Sequence, residues 1–511
     1  MPEPRRYAIA TPHLAATEAG RTAFEAGGNA VDAALAAACV LTVVYPHMNA
    51  VGGDVMALVH DGRAHAVNGS GRAPAGLSAG AVARGVPVRG VGSITVPGAV
   101  RAWQTLADRW GTRPLSRALL GAAAVAHEGV AVAPSLARSL ADASELIAAD
   151  AGMRAVFAPG GTALREGDRL VQEQLARTLE RLAAVGPDDL YTGETGELLV
   201  SGLAALGCEL TAADFAAHRT DVDEALRGRL GDEQILTMGP NSQGFSLIQI
   251  MAAVDRLALE RPLGADARLL AAVFRESARD RDAHLADPAA MRTPVGELIS
   301  DTHIAELAAR AAASAGAGPA RVRPAGDTIA LVAADDSGLA VSLIQSIFFG
   351  FGSGVLEPRT GILCHNRGAC FSPDPASPNA LGAGKRPLHT LMPVVVERDG
   401  RAAWVAGTMG GRAQAQIHAQ LLLHRRAGAD PAAAVAAPRM IVGEAGLDDE
   451  VCIEADHAGA RAAFPGTDPA PLVIPARSDA AGHAHAIAFR ADGTFAAGSD
   501  PRADGGAVVG G

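Results

Sequence analysis

Aromatic residues are scarce in this 511-residue chain, at 4% of the sequence, with 3 Trp and 3 Tyr. The hydrophobic 49% therefore consists mainly of aliphatic residues such as Ala, Val and Leu, which suffice to build a sizeable core. Charged residues reach only 19%, and this composition excludes a disordered chain, a collagen and a coiled coil. At about 150 residues per domain the length suggests about three domains, although one large layered domain also reaches this size.

Cysteine is rare too, and positive charge is not in excess. The five cysteines are Cys39, Cys208, Cys364, Cys370 and Cys452. An odd number of mostly widely spaced cysteines suits reduced thiols better than a disulfide framework, and it indicates a reducing compartment. With 44 Lys and Arg against 55 Asp and Glu, the net charge of -11 disfavours binding to a phosphate backbone, so we expect no nucleic-acid partner.

Long apolar runs are absent as well. The longest, over residues 30–44, is interrupted by Asp32 and stopped by Pro46, and it is shorter than the roughly 20 residues that span a membrane. The charged N-terminal residues are not followed by an apolar segment with a cleavage site, so a secretory signal is not predicted. We therefore expect a cytoplasmic protein without a membrane partner.

The pattern along the chain predicts stacked layers of helices and sheets rather than a βαβ repeat. Residues 14–44 have the pattern of two helices broken at Gly27-Gly28, with Asn29 as the second N-cap. Residues 99–260 have a mostly helical pattern, which is typical of a scaffold. Short apolar strands around turn signals predict three hairpins, over 55–68, 328–349 and 394–406.

Two further segments bear on function. Residues 311–326 are low in complexity and rich in Gly, Ala and Pro, which predicts a flexible surface loop. Asp327-Thr328 lies where this loop meets a predicted strand. A helix predicted over 414–426 comes shortly after Gly410-Gly411, so exposed backbone N–H groups are expected at that glycine pair.

The strong catalytic and binding motifs are missing: the chain has no Walker A, H-E-x-x-H, EF-hand or G-x-S-x-G pattern. The Gly-rich segment 350–354 lacks the following helix and downstream acid of a dinucleotide site, which favours a tight loop. Cys364-His365 and Cys370 have no second Cys/His pair at a suitable spacing for a zinc site. We expect neither a cofactor nor a metal.

A series of spaced motifs along nearly the whole chain resembles the gamma-glutamyltransferase family. The series comprises residues 25–34, Pro46-His47, Gly52-Gly53, Gly98, Gly326-Asp327-Thr328, residues 351–354, residues 384–388, Gly410-Gly411 and residues 499–502. Without this resemblance, a Thr that opens a strand is an ordinary propensity choice. With it, Thr328 becomes the candidate nucleophile.

The resemblance implies an N-terminal-nucleophile hydrolase with an α+β fold, a four-layer αββα sandwich. Members of the family cut themselves before a Thr, here between Asp327 and Thr328. Residues 1–327 would form the large subunit and 328–511 the small one, in one intertwined domain from a single precursor, and a higher oligomer is allowed. Cleavage would free the amine of Thr328, which could then activate its own hydroxyl.

The resemblance also assigns the catalytic groups around this nucleophile. Gly410 and Gly411 would donate backbone N–H groups to the tetrahedral oxyanion. Ser346 occupies the position of a hydroxyl residue that bonds the nucleophile, although a strand hydroxyl satisfied by a neighbour is an equal alternative.

The predicted substrate pocket departs from the family pattern. The arginine that holds the glutamyl α-carboxylate is replaced by Ser70, and the acidic residue that holds the α-amino group by Cys370. A serine pair is replaced by His389-Thr390, and an amide residue by Arg367, which makes the pocket more cationic. The predicted substrate-binding set is Ser70, Arg72, Asn366, Arg367, Cys370, His389, Thr390 and Arg412.

Loss of both anchors disfavours glutathione, because buried recognition groups discriminate strongly. Our leading hypothesis is a self-processing hydrolase of an amide in a small carboxylate-bearing substrate, similar to the cephalosporin and glutaryl acylase branch. A C–C bond hydrolase of natural-product biosynthesis, of the 4-alkyl-proline type, is the first alternative. An uncleaved homologue that binds a small molecule is the alternative without catalysis.

Overall fold

Two antiparallel sheets form the centre of the computed structural model, which describes residues 6–314, 327–443, 451–467 and 470–511. The first sheet has seven strands, in the order Gly506–Gly510, Tyr7–Thr11, Asp327–Asp335, Ala340–Phe348, Asp54–His60, Ala64–Asn68 and Asp221–Glu224. The second has six strands, in the order Phe495–Ser499, Ala484–Phe489, Arg401–Thr408, Val394–Arg398, Glu233–Thr237 and Leu226–Leu230. The first sheet therefore contains strands from both sides of residue 328, and strand Tyr7–Thr11 lies between strands Gly506–Gly510 and Asp327–Asp335.

The two sheets pack face to face through small aliphatic side chains. Ala330 and Val332 of the first sheet share a buried cluster with Val405 and Ile487 of the second. The sheets approach closely at Gly407, where an added Cβ would lie 3.0 Å from the Cβ of Ala330. The abundance of Ala and Gly thus serves close packing of the sheets.

Helices cover the outer face of each sheet, which completes an αββα sandwich. The first sheet is covered by a group that includes Leu14–Glu25, Ala30–Val44, Ala99–Trp110, Leu115–Glu128, Glu173–Val185, Asp189–Thr192 and Glu194–Ala205. The second is covered by a group that includes Gly244–Arg256, Ala267–His284, Asp301–Ser314, Gln414–Arg426 and Pro431–Ala436. The predicted fold class is confirmed.

Shorter elements complete the described chain. The remaining helices are Ala79–Arg84, Pro134–Asp142, Ser144–Ala149, Ala151–Phe157, Ala212–Ala217, Val295–Leu298 and Ala458–Ala462. Small sheets are formed by Met440–Val442 with Val451–Glu454 and Leu472–Ile474, by Leu356–Glu357 with Ile362–Leu363, and by Val130–Ala131 with Arg169–Leu170. Within the described ranges, no helix is long and apolar enough to cross a membrane.

Most predicted elements are confirmed, with one clear miss. The three hairpins form, and Asn29 caps its helix through a capping box with Asp32. The segment 221–237 was included in the mostly helical block but supplies three strands. Two of these are polar edge strands, whose sequence lacks the apolar alternation of a half-buried strand. Of the predicted loop 311–326, residues 311–314 are helical and 315–326 lie outside the described residues.

Candidate active site

Thr328 lies at the start of strand Asp327–Asp335 and is fully buried, in a chain that is continuous with Asp327. Its hydroxyl donates to Ser346 Oγ at 3.1 Å. The two strands pair up to Ile329 and Gln345, and the register then shifts before Phe348 pairs with Asp327. This irregularity lies where Ser346 meets Thr328. A bulge at the end of a strand pair changes the direction of the side chains there.

Ser346 Oγ accepts two further hydrogen bonds that fix its position. The backbone N–H of Phe348 donates at 2.8 Å, and Arg367 Nη2 donates at 3.0 Å. Phe348 adopts φ +79°, which is strained for a side chain of this size and typical of functional sites. Ser346 Oγ therefore contacts both Thr328 and the strained aromatic residue beside it.

Arg367 brings three of the predicted pocket residues together. Its guanidinium is fully buried, and Nη1 donates to Thr390 Oγ1 at 3.3 Å and to Cys370 Sγ at 3.6 Å. The ring of Phe348 covers the guanidinium, with 4.5 Å between Cζ and the ring centroid. The hydroxyl of Ser346 thus connects the Arg367 cation with Thr328.

Asp54 is a buried carboxylate at this site, and the sequence pattern did not predict its role. It accepts from the backbone N–H of Gly71 at 3.2 Å and contacts His389 Nε2 at 3.2 Å. His365 Nδ1 lies 3.5 Å and Arg367 Nε 4.0 Å from Asp54 Oδ2. The motif Gly52-Gly53-Asp54 was visible, but the partners of its carboxylate are about 300 residues away in sequence.

Burial and neighbouring charges together determine the pKa values of Asp54 and His389. Burial alone would raise the pKa of Asp54, but His365, His389 and Arg367 outweigh it and hold that pKa well below its usual range. Burial, followed by the charge of Arg367, lowers the pKa of His389 to about 3. At neutral pH the site therefore holds one carboxylate, one guanidinium and a neutral His389.

Gly410 and Gly411 follow strand Arg401–Thr408 and adopt φ +146° and +54°. A Cβ on Gly410 would lie 2.5 Å from Ile417 Cδ1. Neither amide N–H donates to a side chain or a loop carbonyl of the described residues. Such a glycine pair at a helix start can present backbone donors to an anion.

The strand before these glycines runs toward the Thr328 end of the first sheet. Ser342 Oγ donates to the carbonyl of Ala406 at 2.7 Å, and Gly407 packs against Ala330. Ser342 pairs with Val332, which lies two residues after Ala330 in strand Asp327–Asp335. The step from Ala406 to Gly407 therefore moves toward the Thr328 end of the first sheet.

The other predicted pocket residues are placed around this centre in different ways. Ser70 is buried in a hydrogen-bond network with Asn68 and Asn241, and its hydroxyl donates to Asn68 Oδ1 at 2.7 Å. Asn366 Oδ1 accepts from the backbone N–H of Phe349 at 3.1 Å. Arg72 and Arg412 are ion-paired with Asp287 and Asp282, at 3.0 and 2.8 Å. Their roles toward substrate stay predictions.

Within the described residues, no group of three or more His, Cys, Asp or Glu side chains is arranged to hold a metal ion. His483 directly precedes strand Ala484–Phe489 and His485 lies within it, and this strand pairs with strand Arg401–Thr408.

Comparison with known proteins identifies the family. The sequence profile of the Gamma-glutamyltranspeptidase family matches residues 16–510. The oxamate amidohydrolase proenzyme of Klebsiella pneumoniae is 35% identical over 97% of this chain and 97% of its own. The glutathione hydrolase-like YwrD proenzyme of Bacillus subtilis is 34% identical over 98% of both chains. The crystal structure of cephalosporin acylase from Bacillus halodurans has 32% identity and a TM-score of 0.90, covering 99% of this chain and 96% of its own. The chain therefore belongs to the gamma-glutamyltranspeptidase family and is an enzyme of the N-terminal-nucleophile hydrolase type.

Proposed function

We propose that this protein is a precursor that cuts itself between Asp327 and Thr328 and then hydrolyses an amide bond in a small carboxylate-bearing substrate. The observation that carries the proposal is the buried contact chain from the Thr328 hydroxyl through Ser346 Oγ to Arg367. It combines a candidate nucleophile with a cation at the distance of a single intervening oxygen.

The proposed reaction uses the amine of Thr328 as base. The hydroxyl proton passes to this amine while Oγ1 forms a bond to the substrate acyl carbon. Gly410 and Gly411 stabilise the oxyanion, the C–N bond breaks, and the amine product leaves with the proton. Water then attacks the acyl ester and restores Thr328.

Arg367 is the proposed anchor of the substrate carboxylate. Its nearest carboxylate, Asp54, is 4.0 Å from Nε and is shared with two histidines, so the guanidinium retains capacity to attract an anion. Because only Ser346 Oγ separates Arg367 from Thr328, a bound carboxylate would lie a few bonds from the scissile carbonyl. This favours a short acyl group, and the relative named for oxamate acts on an amide of that kind.

Ammonia release from a series of primary amides tests the proposal. We expect the wild-type protein to hydrolyse oxamate and malonamate with higher kcat/KM than glutaramate, and Thr328→Ala to hydrolyse none of them. Equal rates for all three would remove the short-acyl assignment, and turnover by Thr328→Ala would exclude Thr328 as nucleophile. Cleavage of a C–C bond in a 2,4-dioxo acid, with no amide hydrolysis, would favour the natural-product alternative.

A further inference from the structure

A cavity of about 410 Å³ is bounded on one side by Phe348, whose ring covers the Arg367 guanidinium and whose backbone N–H donates to Ser346 Oγ. Its walls include three aromatic side chains together with aliphatic residues and one cation: Phe348, Phe349, Phe371, Val86, Leu381 and Arg412. The rings of Phe348 and Phe349 are 4.2 Å apart, with 34° between their planes. The cavity is thus a ring-lined space with little charge of its own.

Two residues of the cavity wall adjoin the groups that the proposed reaction requires. Phe348 pairs with Asp327, the residue directly before the proposed nucleophile. Arg412 directly follows Gly411, the second proposed oxyanion donor. A substrate carbonyl between Thr328 and the glycine pair would therefore lie at the inner end of this cavity.

The order of bond breaking assigns the cavity to one half of the substrate. In covalent catalysis the acyl half stays on the nucleophile while the amine half departs first. The Arg367 side of Thr328 is fully buried, whereas the cavity side is open through partly exposed Phe349 and Leu381. The acyl half therefore belongs at Arg367 and the amine half in the cavity.

We propose that the cavity is a binding site for an apolar, ring-bearing amine as the leaving group of the substrate. Its volume far exceeds the roughly 30 Å³ that a molecule of the size of water or ammonia occupies. Aromatic walls favour a ring through stacking and apolar burial. Arg412, the one cation among the described residues of the wall, is paired with Asp282 at 2.8 Å, so it does not demand an anionic amine. This inference rests on the proposed function, which leaves the amine half open.

A pair of substrates with similar leaving-group chemistry and different size tests the site. We expect the wild-type protein to have a KM at least tenfold lower for N-benzyloxamate than for N-methyloxamate, since only the benzyl group reaches the aromatic walls. Equal KM values for the two amides would overturn the proposal.

Two cavity variants and a matched control locate the effect. Ala380 lines the cavity, so Ala380→Phe fills it and should lower the benzyl-to-methyl ratio of kcat/KM at least tenfold. Phe349→Ala, which removes a wall, should lower the same ratio at least fivefold. Ala376→Phe, at an exposed position of the same loop outside the cavity, should leave the ratio unchanged. A ratio that is insensitive to both cavity variants would overturn the proposal.

Failure of the proposed function gives a separate result. If the wild-type protein hydrolyses neither oxamate, titration calorimetry with the same two compounds measures binding directly. The cavity proposal then expects a Kd at least tenfold lower for N-benzyloxamate, lost in Ala380→Phe and kept in Ala376→Phe. Equal Kd values would overturn the proposal independently of catalysis.

Discussion

Arg367 and Asp54 are the two buried charges on which the site depends. Arg367 touches Ser346, Thr390 and Cys370, while Asp54 touches the histidines and approaches the guanidinium at 4.0 Å. A buried charge that loses its partner is costly, whereas the pair together is tolerated. Each residue therefore has a different expected phenotype.

Arg367→Ala should weaken binding of acidic acyl substrates. A charge-assisted hydrogen bond contributes about 1.5–3 kcal/mol, so KM for oxamate should rise by about 10- to 150-fold, against a much smaller rise for the neutral analogue propionamide. Steady-state kinetics with both amides measure the difference. Arg138→Ala is the comparison, because Arg138 is exposed and paired with the exposed Asp479, and its effect on the KM for oxamate should stay under about threefold. Equal KM increases for acidic and neutral substrates in Arg367→Ala would contradict the anchor.

Asp54→Asn should destabilise the fold, because it leaves the guanidinium of Arg367 buried without a carboxylate. The expected loss in the free energy of unfolding is about 3–5 kcal/mol, measured by urea denaturation in the Thr328→Ala background, which keeps one chain. Asp188→Asn, at an exposed carboxylate paired with Arg101, should cost no more than about 1 kcal/mol. A similar loss in both variants would contradict the role of the Asp54 carboxylate in compensating the buried charge of Arg367.

The resemblance predicted Thr328 and Ser346 as catalytic residues and Arg367 as a substrate-binding residue, and the structure brings these three together. The sequence did not predict the role of Asp54 or the strained backbone of Phe348. The spacing of motifs identifies positions that resemble the family, but the partners of a buried carboxylate come from distant segments. Phe348 adopts φ +79° beside a hydrogen bond from its backbone N–H to Ser346 Oγ, and the sequence pattern of an apolar strand gave no sign of this turn.

At the scale of elements, the glycine pair before helix Gln414–Arg426 connects fold and chemistry. The strand Arg401–Thr408 delivers Gly410 and Gly411 toward the Thr328 end of the first sheet. Their positive φ angles orient the backbone between strand and helix. The geometry of this connection, and not only the presence of the amides, should determine catalysis.

Gly410→Ala should lower kcat about 10- to 100-fold with little change in KM. A Cβ at φ +146° meets Ile417 Cδ1 at 2.5 Å, so the backbone must shift and the amide donors move away from the oxyanion. The matched control is Gly428→Ala, just after the other end of the same helix, at φ +88° with no atom within 4 Å of an added Cβ. It should lower stability but leave kcat unchanged, and a comparable kcat loss in both variants would contradict the oxyanion assignment.

Element prediction succeeded where local rules determine the outcome. The helices 14–25 and 30–44 follow from Gly27-Gly28 and the Asn29 cap, and the hairpins follow from turn residues between apolar strands. The strands within 221–237 were missed because their alternation is polar, and their pairing with sheet edges is a tertiary effect.

At the scale of the whole molecule, buried neutral histidines should make the protein sensitive to acid. Burial lowers the pKa of five of them to about 3 or 4: His47, His218, His389, His418 and His485. Their folded pKa values lie below the unfolded value of about 6.5, so their contribution is fully present above pH 6.5 and is lost as pH falls toward 4.

Each such histidine lowers the free energy of unfolding by about 1.4 kcal/mol per pH unit once the unfolded chain is protonated. We therefore expect the free energy of unfolding of Thr328→Ala, measured by urea denaturation, to fall by several kcal/mol between pH 7 and pH 5. The depressed pKa of Asp54 acts in the same direction, but only below about pH 4. A free energy of unfolding that stays constant from pH 7 to pH 5 would contradict the assignment of these histidines as neutral and buried.

The sandwich places the proposed cleavage site at the first residues of an inner strand, with Asp327 paired to Phe348 and Thr328 bonded to Ser346. The proposed function therefore requires that the chain is cut there. The intact mass of the purified protein, measured for the wild type and for Thr328→Ala, tests this cut. We expect two fragments in the wild type, ending at Asp327 and beginning at Thr328, and a single chain in the variant. A wild-type chain that stays intact on incubation, or a Thr328→Ala chain cut at the same bond, would contradict it.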